Sequence, residues 1–164
     1  MASVTLSGLS THISGELPMP GQQAPDFRLV DVDLQDRTLA DYRGRKKLLN
    51  IVPSLDTPVC AASGKKFNEL ARENVVMLVV SADLPFAMKR FCRSARLDQL
   101  IPLSMMRSRK FARDYGVLIQ DGPLAGLTTR AIVVIDEAEQ VLYSELVPEI
   151  TRQPDYECAL AALA

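Results

Sequence analysis

The sequence predicts an α/β protein, a layered fold of strands and helices, on three observations. Apolar runs at residues 48–52 and 75–81 have the near-continuous hydrophobicity of strands buried on both faces of a parallel sheet. Stretches with helical periodicity and helix-start signals follow each of them. Finally, residues 3–14 alternate around Gly8 as a small hairpin would.

Taken in chain order, the hairpin is followed by a turn-rich connector over 17–25 that contains Pro18, Pro20 and Pro25. Residues 27–30 read as the first strand beyond it and 48–52 as the next, closed by Pro53. Thr57 then has the character of an N-cap, with Pro58 at the first helical position, opening a helix to about Glu73 whose inner side carries Phe67, Leu70 and Ala71. After the strand at 75–81 come a helix over about 85–94 and a shorter one over about 108–115. Residues 130–136 and 140–146 form a predicted hairpin around the acidic turn 137–139. A last helix spans 155–163. No internal repeat, low-complexity tract or long linker interrupts the 164 residues, which suit one domain burying roughly two-thirds of its unfolded surface.

Composition narrows the function classes. With 24% charged and 48% apolar residues and a formal charge of -1, the chain has no electrostatic pull towards nucleic acid or anionic lipid. The basic runs 45–47 and 107–110 read as solvated loops and helix ends. The first twenty residues lack the basic start and apolar run of a secretory signal, and no stretch approaches the roughly 20 apolar residues of a membrane span, so a cytoplasmic location is the default expectation. Three widely spaced cysteines do not suggest a secreted disulfide framework; in a reducing compartment such thiols are catalytic, redox-active or simply buried.

Among them Cys60 has the most informative position, the third helical residue after Thr57 and soon after a buried strand. Unpaired backbone N–H groups and the positive end of a helix favour thiolate there, and thiolate is the nucleophilic form. Position alone leaves an inert buried cysteine equally open. Cys92 shares a face with Met88 on its helix, which by itself describes a small core residue. Cys158 reads as structural, His12 as a bland hairpin residue, and Asp83, Gly122 and Pro123 as turn and packing residues. No His/Cys/carboxylate cluster has metal-ligand spacing and no CxxC pair is present, so neither zinc nor a dithiol oxidoreductase of the thioredoxin type is expected, and the chemistry is expected to rest on cysteine without a bound cofactor.

The string Pro53-Ser54-Leu55-Asp56-Thr57-Pro58-Val59-Cys60 resembles the P-x-x-x-T-x-x-C motif of the peroxiredoxins. The spacing has physical sense: the Thr57 hydroxyl and the Cys60 N–H lie one helical turn apart and can converge on a peroxide, while Pro53 has no N–H to compete for the sulfur and can shield it from water. Thr57 serves equally well as a plain N-cap. The segment 125–136, AGLTTRAIVVID, resembles the part of the family that brings an arginine to the reactive sulfur, which makes Arg130 the candidate stabiliser; without the resemblance it would read as a solvated strand-end arginine. The match is closest to the bacterial thiol peroxidases, the atypical two-cysteine peroxiredoxins. The hairpin, SLDTPVCAAS, SADLPFAMKRFC, YGVLIQDGPLAGL and PEITRQPDYE are all similar to that subgroup. The resemblance implies a thioredoxin-like fold with a central mixed sheet flanked by helices, hydroperoxide substrates, thioredoxin as reductant and a homodimer. It also implies that Cys92 resolves the Cys60 sulfenic acid as an intramolecular disulfide, for which local unwinding around one or both cysteines is expected.

Overall fold

The computed structural model describes residues 2–164. Two short strands, β1 (Ser3–Leu6) and β2 (Leu9–His12), pair antiparallel as the amino-terminal hairpin, with Ser7 and Gly8 both at positive φ in its turn. The remaining strands make one seven-stranded mixed sheet: β3 (Arg28–Val30), β4 (Asp36–Thr38), β5 (Lys46–Ile51), β6 (Val75–Ser81), β7 (Leu100–Ser104), β8 (Ala131–Ile135) and β9 (Val141–Leu146). Their spatial order is β4-β3-β7-β6-β5-β8-β9, with β5, β6 and β7 parallel and β8 antiparallel to β5.

The central strands are apolar throughout because both of their faces are covered. Leu48, Met77, Val79, Ile132 and Val134 enter a core with α1 (Pro58–Glu69), α2 (Pro85–Ser94) and α4 (Tyr156–Leu163). The alternate residues Leu49, Ile51, Val76, Leu78, Val80 and Val133 meet a second core containing Phe111, Ala112 and Tyr115 at α3 (Lys110–Asp114). Period-two side-chain alternation thus sorts one hydrophobic run into two cores. Phe111 stacks on Tyr115 at 4.4 Å, and the Tyr115 hydroxyl donates to the Pro25 carbonyl at 2.7 Å, tying the proline-rich connector to this face. The turn after α3 requires Gly116: φ is +70°, and a Cβ would lie 2.4 Å from the Glu16 backbone.

The central mixed sheet flanked by helices and the hairpin agree with expectation, and several boundaries move. The first helix stops at Glu69 instead of about Glu73, because Leu70 turns its N–H back to the Lys66 and Asn68 carbonyls while the Asn68 side chain accepts from Gln99 N. Arg130 lies just before β8, and Asp155 is the N-cap of α4, accepting from Cys158 N at 3.1 Å. The helix expected over 108–115 is the shorter Lys110–Asp114, with the Ser108 hydroxyl accepting from Lys110 N ahead of it. Strands β4 and β7 and a 3-10 helix at Leu39–Tyr42 carried no clear sequence signal. In β7 the reason is Pro102, which weakens any strand reading; it is accommodated because β7 ladders fully with β6 but meets β3 only at Val30↔Ser104.

Candidate active site

The loop that carries the P-x-x-x-T-x-x-C string leaves the sheet at the carboxyl end of β5. Val52 still donates to the Val80 carbonyl at 3.0 Å and accepts from the Thr128 hydroxyl at 2.7 Å, and Pro53 is buried immediately beyond. Thr57 has extended dihedrals, φ -112° and ψ 151°, while Pro58 supplies a pre-set φ and no unsatisfied N–H at the first helical position. The Thr57 hydroxyl accepts from Cys60 N at 3.4 Å and donates to the Ser54 carbonyl at 3.1 Å. One side chain therefore closes the loop behind it and caps the helix ahead. Below this turn, Ser63 Oγ donates to the Cys60 carbonyl at 3.0 Å and Asn50 Nδ2 donates to Ser63 Oγ at 3.3 Å, linking the first turn of α1 to β5.

Arg130 is brought to the same point from 70 residues away. Its Nη2 donates to Cys60 Sγ at 3.0 Å and its Nε to the Ile150 carbonyl at 3.0 Å, with only 2% of the residue exposed. Among the described residues Nη1 has no partner, so one amino group of a buried guanidinium remains uncommitted. Cys60 itself is 0% exposed. The site thus sets a guanidinium at hydrogen-bond distance from a sulfur that solvent does not reach. The spare N–H offers a donor to an oxygen arriving there.

The three cysteines are free. Cys92 is partly buried on α2 beside Met88, and burial pushes its thiol up to about 11. It lines a surface cleft with Val32, Lys89, Arg93, Leu97 and Pro102, whereas the opposite flank of α2 forms a cleft of about 450 Å³ with Leu55, Asp56 and Asp83. Cys158 is exposed in the first turn of α4, where the Asp155 carboxylate raises its thiol pKa. His12 pairs with Asp121 at 2.6 Å on the hairpin. Among the described residues no group of three His, Cys, Asp or Glu side chains is placed to hold a metal ion, and no helix is long and apolar enough to cross a membrane.

The model of the Redoxin family matches residues 19–160, which include every residue of this arrangement. The chain belongs to the redoxin family. A thiol peroxidase of Leptospira interrogans is 47% identical over 166 aligned positions, spanning 99% of this chain and 97% of the relative. Among solved structures, a peroxiredoxin-like protein from Aquifex aeolicus superposes with a TM-score of 0.93 at 39% identity, covering 99% of this chain and 96% of that one. A thiol peroxidase from Chromobacterium violaceum gives 0.90 at 27% identity, covering 98% and 94%. Within the redoxins this chain is therefore an enzyme of the peroxiredoxin class, a thiol peroxidase.

Around this candidate site of the redoxin lie further residues that the motif does not announce. Asp83, read from sequence as a turn residue, accepts hydrogen bonds from Ser54 Oγ, Leu55 N and Ser81 Oγ. Tyr156, in the quoted tail segment, packs edge-on against Phe67 of α1 with centroids 5.1 Å apart. Burial pushes its phenol up to about 12, with the charge of Arg130 pulling the other way. The sequence signal for Asp83 is an acidic residue between a buried strand and a Leu-Pro helix start; Ser81 is close by, but the two partners in the Cys60 loop lie 28 and 29 residues back and nothing local names them.

Proposed function

We propose that Cys60 is the peroxidatic cysteine of a thiol peroxidase that reduces hydrogen peroxide and organic hydroperoxides. The 3.0 Å contact from Arg130 Nη2 to Cys60 Sγ is the observation that carries the reading, because it joins a family motif to a remote cation in one buried site. The Cys60 thiolate attacks one peroxide oxygen, the O–O bond breaks, and the other oxygen leaves with a proton as water or alcohol. Thr57 orients the Cys60 N–H, Pro53 shields the sulfur, and the uncommitted Arg130 N–H supports charge developing on the peroxide oxygens.

Cys92 then attacks the Cys60 sulfenic acid: the S–O bond breaks, the S–S bond forms, and the hydroxyl departs with the Cys92 proton as water. An external dithiol reduces the disulfide by thiol exchange. Thioredoxin, at about -270 mV, is the reductant that the family resemblance favours. Operation as a cytoplasmic homodimer in antioxidant defence and redox homeostasis belongs to the same reading, and no bound cofactor is needed. Steady-state consumption of a hydroperoxide by the protein with thioredoxin, its reductase and NADPH is the test. Turnover that disappears in Cys60→Ser and in Cys92→Ser is expected. Oxidation of the thiols without turnover would instead favour a non-catalytic sensor or holdase that passes oxidation to a protein partner.

A further inference from the structure

Asp83 stands where the carboxyl ends of β5, β6 and β7 meet the start of α2. Its carboxylate accepts from Ser54 Oγ at 2.7 Å, from Leu55 N at 2.8 Å and from the buried Ser81 Oγ at 2.7 Å. Its backbone is held as well: its N–H donates to Ser81 Oγ at 3.1 Å and its carbonyl accepts from the buried Ser104 Oγ at 2.5 Å. Among the described residues, the hydrogen bonds joining residues 53–57 to the fold outside that loop and α1 both end on this one carboxylate. From Ser54 the chain of bonds continues through the Thr57 hydroxyl to Cys60 N. Pro85, two residues after Asp83, begins the helix that carries Cys92.

We propose that Asp83 is a positioning residue, a latch that holds the Cys60 loop in its peroxide-reactive geometry and sets how readily that loop opens for the disulfide with Cys92. This rests on the cysteine roles proposed above and assigns the residue that controls the change between the two steps. Two observations point to opening: Cys60 is 0% exposed with Arg130 on its sulfur, and the cleft lined by Cys92 lies on the other flank of α2 from the one lined by Leu55 and Asp56. Releasing the loop removes Ser54 and Leu55 from Asp83, while Ser81 holds the carboxylate and Ser104 the backbone carbonyl in place for reclosure. Closed loop favours attack on peroxide; open loop favours sulfenic acid capture by Cys92, and a weaker latch shifts the population between them.

The two steps must then respond to the latch with opposite signs, which general loss of stability does not produce. Asn at position 83 offers one oxygen acceptor and presents an NH2 group to donors. In Asp83→Asn, stopped-flow oxidation of the reduced protein by hydrogen peroxide is expected to show a first phase slower by about tenfold or more. Disulfide formation is expected to accelerate several-fold, and Cys60 sulfinic acid at excess peroxide to fall, as read by intact mass. Ser54→Ala removes a single donor and is expected to move both phases in the same directions by smaller factors, which keeps the test available if Asp83→Asn folds poorly. Slowing of both phases together, or no change in either variant, overturns the latch alone. A wild type that shows no sequential oxidation of Cys60 and Cys92 overturns the underlying cysteine roles, and the latch with them.

Discussion

Replacing Arg130 by Met should slow the peroxide reaction while changing stability only modestly, and the geometry says by how much. The substitution removes the charge-assisted bond from Nη2 to Cys60 Sγ and the bond from Nε to the Ile150 carbonyl. A hydrogen bond to a charged group is worth about 1.5–3 kcal/mol, so if the first is fully expressed in the transition state, peroxide attack slows by about 10- to 150-fold. For stability two effects oppose each other. The Ile150 carbonyl loses its donor, at about 1–3 kcal/mol, but a buried cation with an unpartnered Nη1 is also removed, and exchanging buried charge for apolar volume is often neutral or stabilising. The net change should fall within about 2 kcal/mol. Arg130→Lys keeps the charge but loses the fork that serves sulfur and carbonyl together, so its rate should lie between the two. Stopped-flow peroxide reaction and urea unfolding of the reduced proteins are the paired assays. An Arg130→Met rate within about twofold of wild type would refute the assigned role.

Thr57→Val should lose about 1 kcal/mol of helix-capping energy and slow the peroxide step, and Thr57→Ser should restore most of both; denaturant midpoints and single-turnover rates check this together. Burial holds the Cys92 thiol up to about 11 against 9.0 when free, so the stability due to its neutral form is complete below pH 9 and is lost as pH rises towards 11; Cys92→Ala should unfold less steeply with pH across that window. Glu149 accepts from Thr151, Gly8 N and the Thr5 hydroxyl, contacts that hold its carboxyl down at about 2 against 4.5; its contribution is present above pH 4.5 and fades as pH falls towards 2. Amide protection factors in the β1–β2 hairpin should fall over that range, and Glu149→Gln should show the lower protection already at neutral pH. Phe67→Ala, at the contact of α1 with Tyr156 and fully buried, should cost about 3–5 kcal/mol in urea unfolding.

What could be read from the chain depended on how far apart the partners lie. Thr57, Pro58 and Cys60 share one helical turn, so capping rules alone place the thiol at the helix start, and the structure shows that cap. The strands β5, β6 and β8 were legible because burial on both faces makes them continuously apolar. Arg130 was different: no local pattern separates it from an exposed strand-end arginine, and only the family resemblance pointed to a sulfur 70 residues away. Asp83 shows the same limit without that help, since its importance lies in Ser54, Leu55, Ser81 and Ser104, which converge only after three parallel strands align. Strand β7 stayed hidden because Pro102 contradicts strand propensity, and pairing with β6 outweighs that preference.

The central claim, that Cys60 reacts with peroxide and Cys92 resolves it, is tested most directly by adding one equivalent of hydroperoxide to the fully reduced protein. Intact mass and peptide mapping follow, on wild type, Cys60→Ser and Cys92→Ser. The account predicts rapid loss of a pair of hydrogens and a Cys60–Cys92 linked peptide in wild type, a trapped Cys60 sulfenic acid in Cys92→Ser, and no rapid reaction in Cys60→Ser. Oxidation of Cys60→Ser at the wild-type rate, or a disulfide that uses Cys158, would contradict it.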